Sequence, residues 1–156
     1  MRKVLLTPFF VFLGCTYSFN PSLYSRVRSI AIPVFSNETI RYGLAEPLTK
    51  ALIEAFTQDG TLKVTGEKEA DSVLEGTIVG YERTPFIYDE YETVSSFKVT
   101  IRIDVEFIDR VRDGVFWRRE FEDWGDYPAG GQEEEGIEKA TEKLKDRLVR
   151  EIIEGW

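Results

Sequence analysis

Phe97-Lys-Val-Thr-Ile-Arg-Ile-Asp-Val-Glu-Phe107 alternates apolar and polar residues without a break. Successive side chains of a strand point to opposite faces, so a period of two over this length predicts one long strand. Phe97, Val99, Ile101, Ile103, Val105 and Phe107 face a core, and Lys98, Thr100, Arg102, Asp104 and Glu106 face water. Such half-buried strands belong to antiparallel sheets open on one side. Downstream, Arg112-Asp113-Gly114 predicts a turn into a second strand, Val115 to Trp124. Trp117 and Phe121 reach the face of Val105 and Phe107 only if an odd number of residues separates the strands. A three-residue loop with Gly114 in the left-handed position meets that condition.

Upstream, Ser72–Arg83 (SVLEGTIVGYER) predicts a third strand of the same sheet. Gly76 and Gly80 inside it signal a bulge or a close approach by a neighbouring element. Pro85-Phe-Ile-Tyr-Asp-Glu-Tyr91 is unusually aromatic for a loop. It reads either as a loop anchored on its own core or as a contact surface.

Arg26–Phe35 (RVRSIAIPVF) predicts a buried strand, and Ser36–Thr39 a turn. Leu44, Leu48, Ala51, Leu52, Ala55 and Phe56 follow the spacing of one helical face, which predicts a helix over 45–58. Pro47 fits the first turn of that helix, and Asp59-Gly60 ends it. Leu62–Thr65 then returns as a strand, which completes a βαβ unit with parallel strands and a right-handed crossover. Residues 66–71 form a charged turn. At the other end of the chain, 125–131 (GDYPAGG) reads as a flexible loop before a helix over 133–154. Its stripe is Ile137, Ala140, Leu144, Leu148 and Ile152, and Glu133, Glu134 and Glu135 complement the helix dipole. These strands and helices in this order predict an α+β domain: a single mixed β-sheet with two helices packed on one face.

Composition narrows the chemistry. The 156 residues contain no histidine and one cysteine, with a net charge of -8. Ser-His-Asp and Cys-His catalysis, histidine zinc sites and disulfides are thereby removed. The acidic balance argues against nucleic acid as a partner, because phosphate contact needs concentrated basic surface. Acidic pairs such as Asp89-Glu90, Glu122-Asp123 and Glu133-Glu134-Glu135 read as solvated surface, since no calcium-loop order accompanies them. No catalytic site, cofactor or metal is implied. Lys98, Arg102, Arg110, Arg112, Arg118 and Arg119 concentrate on the long hairpin; cross-strand pairing with Asp104, Glu106, Glu120 and Glu122 explains them better than an anion site.

The N-terminus has the three parts of an export signal: basic Arg2 and Lys3, an apolar run Val4–Leu13, and small Gly14 before Cys15. This run of residues 4–13 is too short to span a bilayer, which takes about 20. Phe12-Leu-Gly-Cys15 resembles a lipobox, with cleavage between Gly14 and Cys15 and lipidation, palmitate included, on the Cys15 thiol. Two or three acyl chains would tether it stably to a membrane. Thr16 after the cysteine points to the outer membrane. The expected organisation is therefore a signal peptide at 1–14, a lipidated tether at 15–25 and one domain at 26–156.

Several stretches together resemble the LPS-assembly lipoprotein family, the E component of the lipopolysaccharide transport machinery. They are Cys15–Phe19, Ser29-Ile-Ala-Ile-Pro-Val-Phe-Ser-Asn-Glu-Thr39, Leu44–Phe56, Ala70-Asp-Ser-Val-Leu-Glu-Gly-Thr77, the Phe97–Phe107 strand and the closing Glu154-Gly-Trp156. The resemblance covers essentially the whole mature chain, and the order and spacing of its motifs carry it. It implies a non-enzymatic lipoprotein of the Gram-negative outer membrane, facing the periplasm or inside a barrel lumen. Its partners would be a large outer-membrane β-barrel, the D component, and lipopolysaccharide. The family's basic loops are replaced here by Tyr88-Asp-Glu-Tyr91 and Gly130-Gly-Gln-Glu133, so those lipopolysaccharide contacts do not carry over. Arg102, Arg110 and Arg112 are the substitutes the sequence offers. The alternative is another envelope lipoprotein with the same βαβ unit, such as a peptidoglycan-synthase activator or a curli-secretion lipoprotein.

Overall fold

The computed structural model describes residues 26–154. In chain order the elements are β1 (Ser29–Ala31), β2 (Ser36–Asn37), α1 (Ala45–Asp59), β3 (Lys63–Val64), β4 (Ser72–Tyr88), β5 (Val94–Asp109), β6 (Gly114–Pro128) and α2 (Glu133–Glu154). One six-stranded mixed sheet runs β3-β1-β4-β5-β6, with β2 alongside β4. β1 pairs parallel with both β3 and β4, as a βαβ crossover requires. β4, β5 and β6 form an antiparallel slab.

Both helices bury their apolar stripes against one sheet face. Leu48, Leu52 and Phe56 of α1 join Ala140, Leu144, Leu148 and Ile152 of α2 in a single core cluster. The sheet contributes Leu74, Ile78, Val99, Ile101, Ile103, Val105, Phe107 and Phe121 to it. The alternation is thus obeyed on the inner face, with Val99 to Phe107 buried and Phe97 half-buried against the cluster, and each fully buried residue adds about 1.5–3 kcal/mol. α1 ends as its sequence predicts: Gly60 takes the left-handed conformation at φ 72° and its N–H bonds the Phe56 carbonyl at 3.1 Å.

The strand edges depart from the sequence reading. Of Arg26–Phe35 only Ser29–Ala31 is strand, because residues 32–35 leave the ladder around Pro33, which has no N–H to give it, and the chain rejoins the sheet as β2 at Ser36–Asn37, where the sequence predicts a turn. The Phe35 N–H is instead taken by Thr49 Oγ1 of α1 at 3.0 Å. The presumed loop at Pro85–Tyr91 is strand as far as Tyr88, and the turn is confined to 89–93. Pro85 is tolerated there because β2 ends beside Ile78, leaving β4 an edge strand beyond it. The presumed loop at 125–131 is likewise strand through Pro128.

The parity of the long hairpin is met, though by another device. Asp109 pairs with Gly114, which leaves an even, four-residue turn, and Asp113 takes the positive φ of 54° in place of Gly114. A bulge between Ile108 and Phe107 on the pairing path adds the odd residue, so Phe107 meets Trp117 and Ile103 meets Phe121. Both signals from the β4 glycines also hold. The register slips between Ile78 and Gly80, and a Cβ on Gly76 would lie 2.1 Å from the Phe35 ring that fills its place.

Two glycines set the spacing of α2 from β6. A Cβ on Gly125 would stand 2.1 Å from the Gly136 carbonyl oxygen and 2.9 Å from the Ala140 nitrogen. Helix and strand therefore touch backbone to backbone at this point.

Candidate functional site

Among the described residues no group of His, Cys, Asp or Glu could hold a metal ion, and no helix is long and apolar enough to cross a membrane. What the fold presents is surface: the solvated face of the β4–β5–β6 slab and its two ends. At about 3.3 Å per residue, the 16 residues of β5 make this slab about 50 Å long.

Two cross-strand ion pairs form within the open face, while Glu75, Glu82, Asp104 and Glu120 have no ion-pair partner among the described residues. Arg118 bonds Glu106 across β5–β6 at 2.6 Å, and Arg102 stands 3.8 Å from Glu122. These are cross-strand pairs, as the alternation implies. Arg119 is different: it lies on the helix side and pairs with Glu151 of α2.

The fold does not gather Arg102, Arg110 and Arg112. Arg102 is mid-strand with its guanidinium against Gly80, where a Cβ would be 2.9 Å from Nη2. Arg110 and Arg112 lie on the turn after β5, about 25 Å further along it. Arg110 Nη1 bonds the Glu67 carbonyl at 2.7 Å and its N–H bonds the Asp71 carbonyl at 2.9 Å. Asp109 Oδ1 accepts the N–H groups of Val111 and Arg112 at 2.9 and 3.1 Å, which fixes the turn. Gly14 and Cys15 lie outside the described residues.

The start of β1 is at this same end. Asp71 Oδ2 accepts the N–H groups of Arg28 and Ser29 at 2.9 and 3.1 Å, and Ser29 Oγ accepts the Asp71 N–H at 2.9 Å. The Arg28 N–H bond, with help from Ser29, holds the Asp71 carboxyl below the usual carboxylate range.

The opposite end holds what the sequence did not reveal. Glu133, first residue of α2, receives the Tyr81 hydroxyl and faces Arg41 and Arg83, each 3.5 Å away. Burial, reinforced by the bond to Glu133, raises the Tyr81 hydroxyl far above the usual phenol range, so it stays a donor. Arg83 also bonds the Tyr127 hydroxyl and stacks 3.7 Å from the Phe97 ring centre. On the outer face of the same end, Phe86 packs on Trp124 at 5.2 Å, and Lys143 Nζ lies 4.0 Å from the indole. Phe86, Ile87, Tyr88 and Tyr91 are all exposed, so the aromatic stretch is a surface and not a core anchor. Asp89 serves the turn, accepting the Tyr91 and Thr93 N–H groups at 2.9 Å each. The signal for Trp124 was its parity with Lys98 and Thr100; ending the strand there hid its neighbours.

A family model described as LptE, lipopolysaccharide-assembly, matches residues 27–153. No curated protein matches the sequence significantly. Among solved structures, a protein of Chlamydia trachomatis is similar with a TM-score of 0.61 at 8% identity, over 81% of this chain and 95% of that one. A protein of Xanthomonas campestris matches with a TM-score of 0.59 at 16% identity, over 87% and 90%. A lipoprotein B of Nitrosomonas europaea matches with a TM-score of 0.56 at 14% identity, over 81% and 82%. At these identities the structural likeness speaks for the fold alone.

Proposed function

The chain belongs to the LptE, lipopolysaccharide-assembly, family, and from that premise we propose that it is an outer-membrane lipoprotein that docks with a large β-barrel translocon. In this reading it assists lipopolysaccharide assembly at the cell surface and catalyses nothing. The observation that carries the proposal is the family match across the whole folded domain, residues 27–153. It also favours the transport reading over the peptidoglycan-synthase and curli-secretion alternatives.

The physics of the slab supports docking in a lumen. Interiors of large membrane barrels are polar. A plug facing such a wall must not strand unpaired charge, because a buried ion without a partner costs several kcal/mol. Arg118–Glu106 and Arg102–Glu122 meet this for four charges of the open face, and in this reading the barrel wall supplies donors or cations to Glu75, Glu82, Asp104 and Glu120. Lipidation of Cys15, after cleavage behind Gly14, would hold the domain at the membrane through the tether at 15–25. Lipopolysaccharide phosphates, if they meet this chain, would meet Arg110 and Arg112 on the β5–β6 turn: Arg110 bonds only a neutral carbonyl, that of Glu67, so its charge is not offset, whereas Arg102 is paired with Glu122 and packed on Gly80.

The test is capture of the lipidated protein from detergent-solubilised envelopes, with identification of what comes with it. Recovery of a lipopolysaccharide-transport barrel is expected. Recovery of a penicillin-binding protein, or of a pore built from copies of this chain, would overturn the reading. Reversing Arg110 and Arg112 to Glu is expected to weaken binding of purified lipopolysaccharide; unchanged affinity would remove those two residues from the proposal.

A further inference from the structure

β6 is the last strand of the sheet, and at 15 residues it is long for an edge. Such an edge presents a row of unpaired N–H and C=O groups that template pairing with another strand. In this fold three carbonyls of that row are taken by α2. Lys139 Nζ bonds the Asp126 carbonyl at 2.7 Å, Lys143 Nζ the Trp124 carbonyl at 2.8 Å, and Arg147 Nη1 the Glu122 carbonyl at 2.6 Å. The donors are every fourth residue of α2, and the acceptors every second residue of β6, taken in reverse order.

The match is one of repeat lengths. Four residues of helix advance about 6.0 Å, and two residues of strand about 6.7 Å. A helix lying antiparallel beside a strand can therefore set one long cation against each outward carbonyl for about three steps before the mismatch accumulates. The Gly125–Gly136 contact brings the helix close enough for lysine and arginine to reach. Arg147 and Lys139 are steadied further by Asp123 and Asp126, each at 3.3 Å. The next helix position in the series is Glu151, which cannot donate to a carbonyl and pairs with Arg119 instead. Chance snorkelling of surface cations would not give three bonds in one register, each at or below 2.8 Å.

We propose that Lys139, Lys143 and Arg147 form a comb that closes the β6 edge against strand addition, the partner excluded being a second copy of this chain. Antiparallel self-pairing of β6 about Glu120 would set Arg118 of each copy against Glu122 of the other, so the bare edge is complementary to itself. The comb holds the Glu122, Trp124 and Asp126 carbonyls that such a pairing needs. The chain consequently meets partners through its faces and ends, with this edge withheld.

The test uses the full lipidated chain in detergent, with protein mass from light scattering and amide exchange by mass spectrometry. Replacing Lys139, Lys143 and Arg147 by Met keeps the apolar stems and removes the donors. The wild type is expected to be monomeric, and the triple variant to self-associate at least tenfold more tightly. Protection should be gained at Glu122–Asp126 while the interior of α2 keeps its own. A control with Lys50, Lys68 and Arg150 replaced by Met loses the same charge elsewhere and should stay monomeric. The proposal is overturned if the triple variant stays monomeric, if the control associates equally, or if the wild type is already paired through β6. Should the triple variant lose its fold, Lys143→Met alone is read the same way, and unchanged association there also overturns it.

Discussion

Replacing Gly125 by Ala should be among the most damaging single methyl additions this chain can receive. The new Cβ would lie 2.1 Å from the Gly136 carbonyl oxygen and 2.6 Å from Lys139 Cβ. Ordinary contact begins near 3.4 Å, so α2 must retreat from β6 by about 1.3 Å. The obstructing atom is backbone, which no rotamer change relieves. Overpacking of this kind costs about 1–3 kcal/mol, and retreat also lengthens the three comb hydrogen bonds, worth about 0.5 kcal/mol each at an exposed edge. The sum is about 3 kcal/mol. Over roughly 130 ordered residues that corresponds to a fall in Tm of about 11 °C. Two further alanines frame the result. A Cβ on Gly136 would meet the Tyr127 ring at 2.8 Å and nothing of the backbone closer than 3.4 Å. Tyr127 is buried and stacked on Phe97, so its ring must shift at a cost of about 1–3 kcal/mol, offset in part by the gain of about 1 kcal/mol for Ala over Gly within a helix, and Gly136→Ala should lose less than Gly125→Ala. Gly130 has open space around it, and its replacement should be neutral. The assay is urea and thermal unfolding of the three variants followed by circular dichroism. Equal stability of Gly125→Ala and Gly130→Ala would refute the account of backbone contact between α2 and β6.

Other substitutions probe other joints. Asp71→Asn should cost about 1–2 kcal/mol at pH 7, because a charged acceptor of two N–H bonds becomes neutral. The folded-state pKa of Asp71 is depressed, so its contribution is complete above the unfolded value near 4 and disappears as pH falls through the folded one. Wild type and variant should therefore converge in urea melts as pH falls through that depressed folded-state value, and a gap unchanged across the acid range would contradict the assignment. Gly76→Ala should lose about 1–3 kcal/mol by driving a methyl into the Phe35 ring, and Phe35→Leu in the same chain should recover part of it. If the double variant were as unstable as the sum of the singles, the two would not share that space. Cys15→Ala is expected to release the protein from the membrane fraction as a folded domain; a variant that stayed membrane-bound without its barrel partner would refute lipid tethering.

Most of the fold could be read because its signals are periodic. The alternation at 97–107, the stripes of both helices and the crossover of β1 and β3 are repeated patterns that one residue out of place does not disturb. The strand ends were not legible for the opposite reason. Pro85 and the run Gly125–Gly131 look like breakers, yet β4 and β6 are edges where Pro128 and Pro85 deny no neighbour a hydrogen bond. The β5–β6 turn shows a further limit: sequence parity required an odd residue but could not place it in a bulge at Phe116. Of the candidate site, the cross-strand pairs followed from alternation alone. The Arg83–Glu133–Tyr81 cluster did not, because it joins residues about 50 positions apart through the register of a strand read as ending at Arg83. The comb on β6 was hidden likewise, since donors and acceptors become neighbours only once helix and strand are laid side by side.

The start of the described chain, held by Asp71 beside the β5–β6 turn, has a mechanical consequence. The β4–β5 turn stands about 50 Å away along β5, so whatever holds the chain upstream of Arg26 holds it at the short end of a lever. A tilt of about 20° at the base would barely move Arg28, yet at that length it would carry Tyr91 through about 17 Å. Contacts near the base can fix position cheaply but exert little torque. Orientation is best governed from the far tip, where a small force from a neighbour is multiplied by the length of the slab.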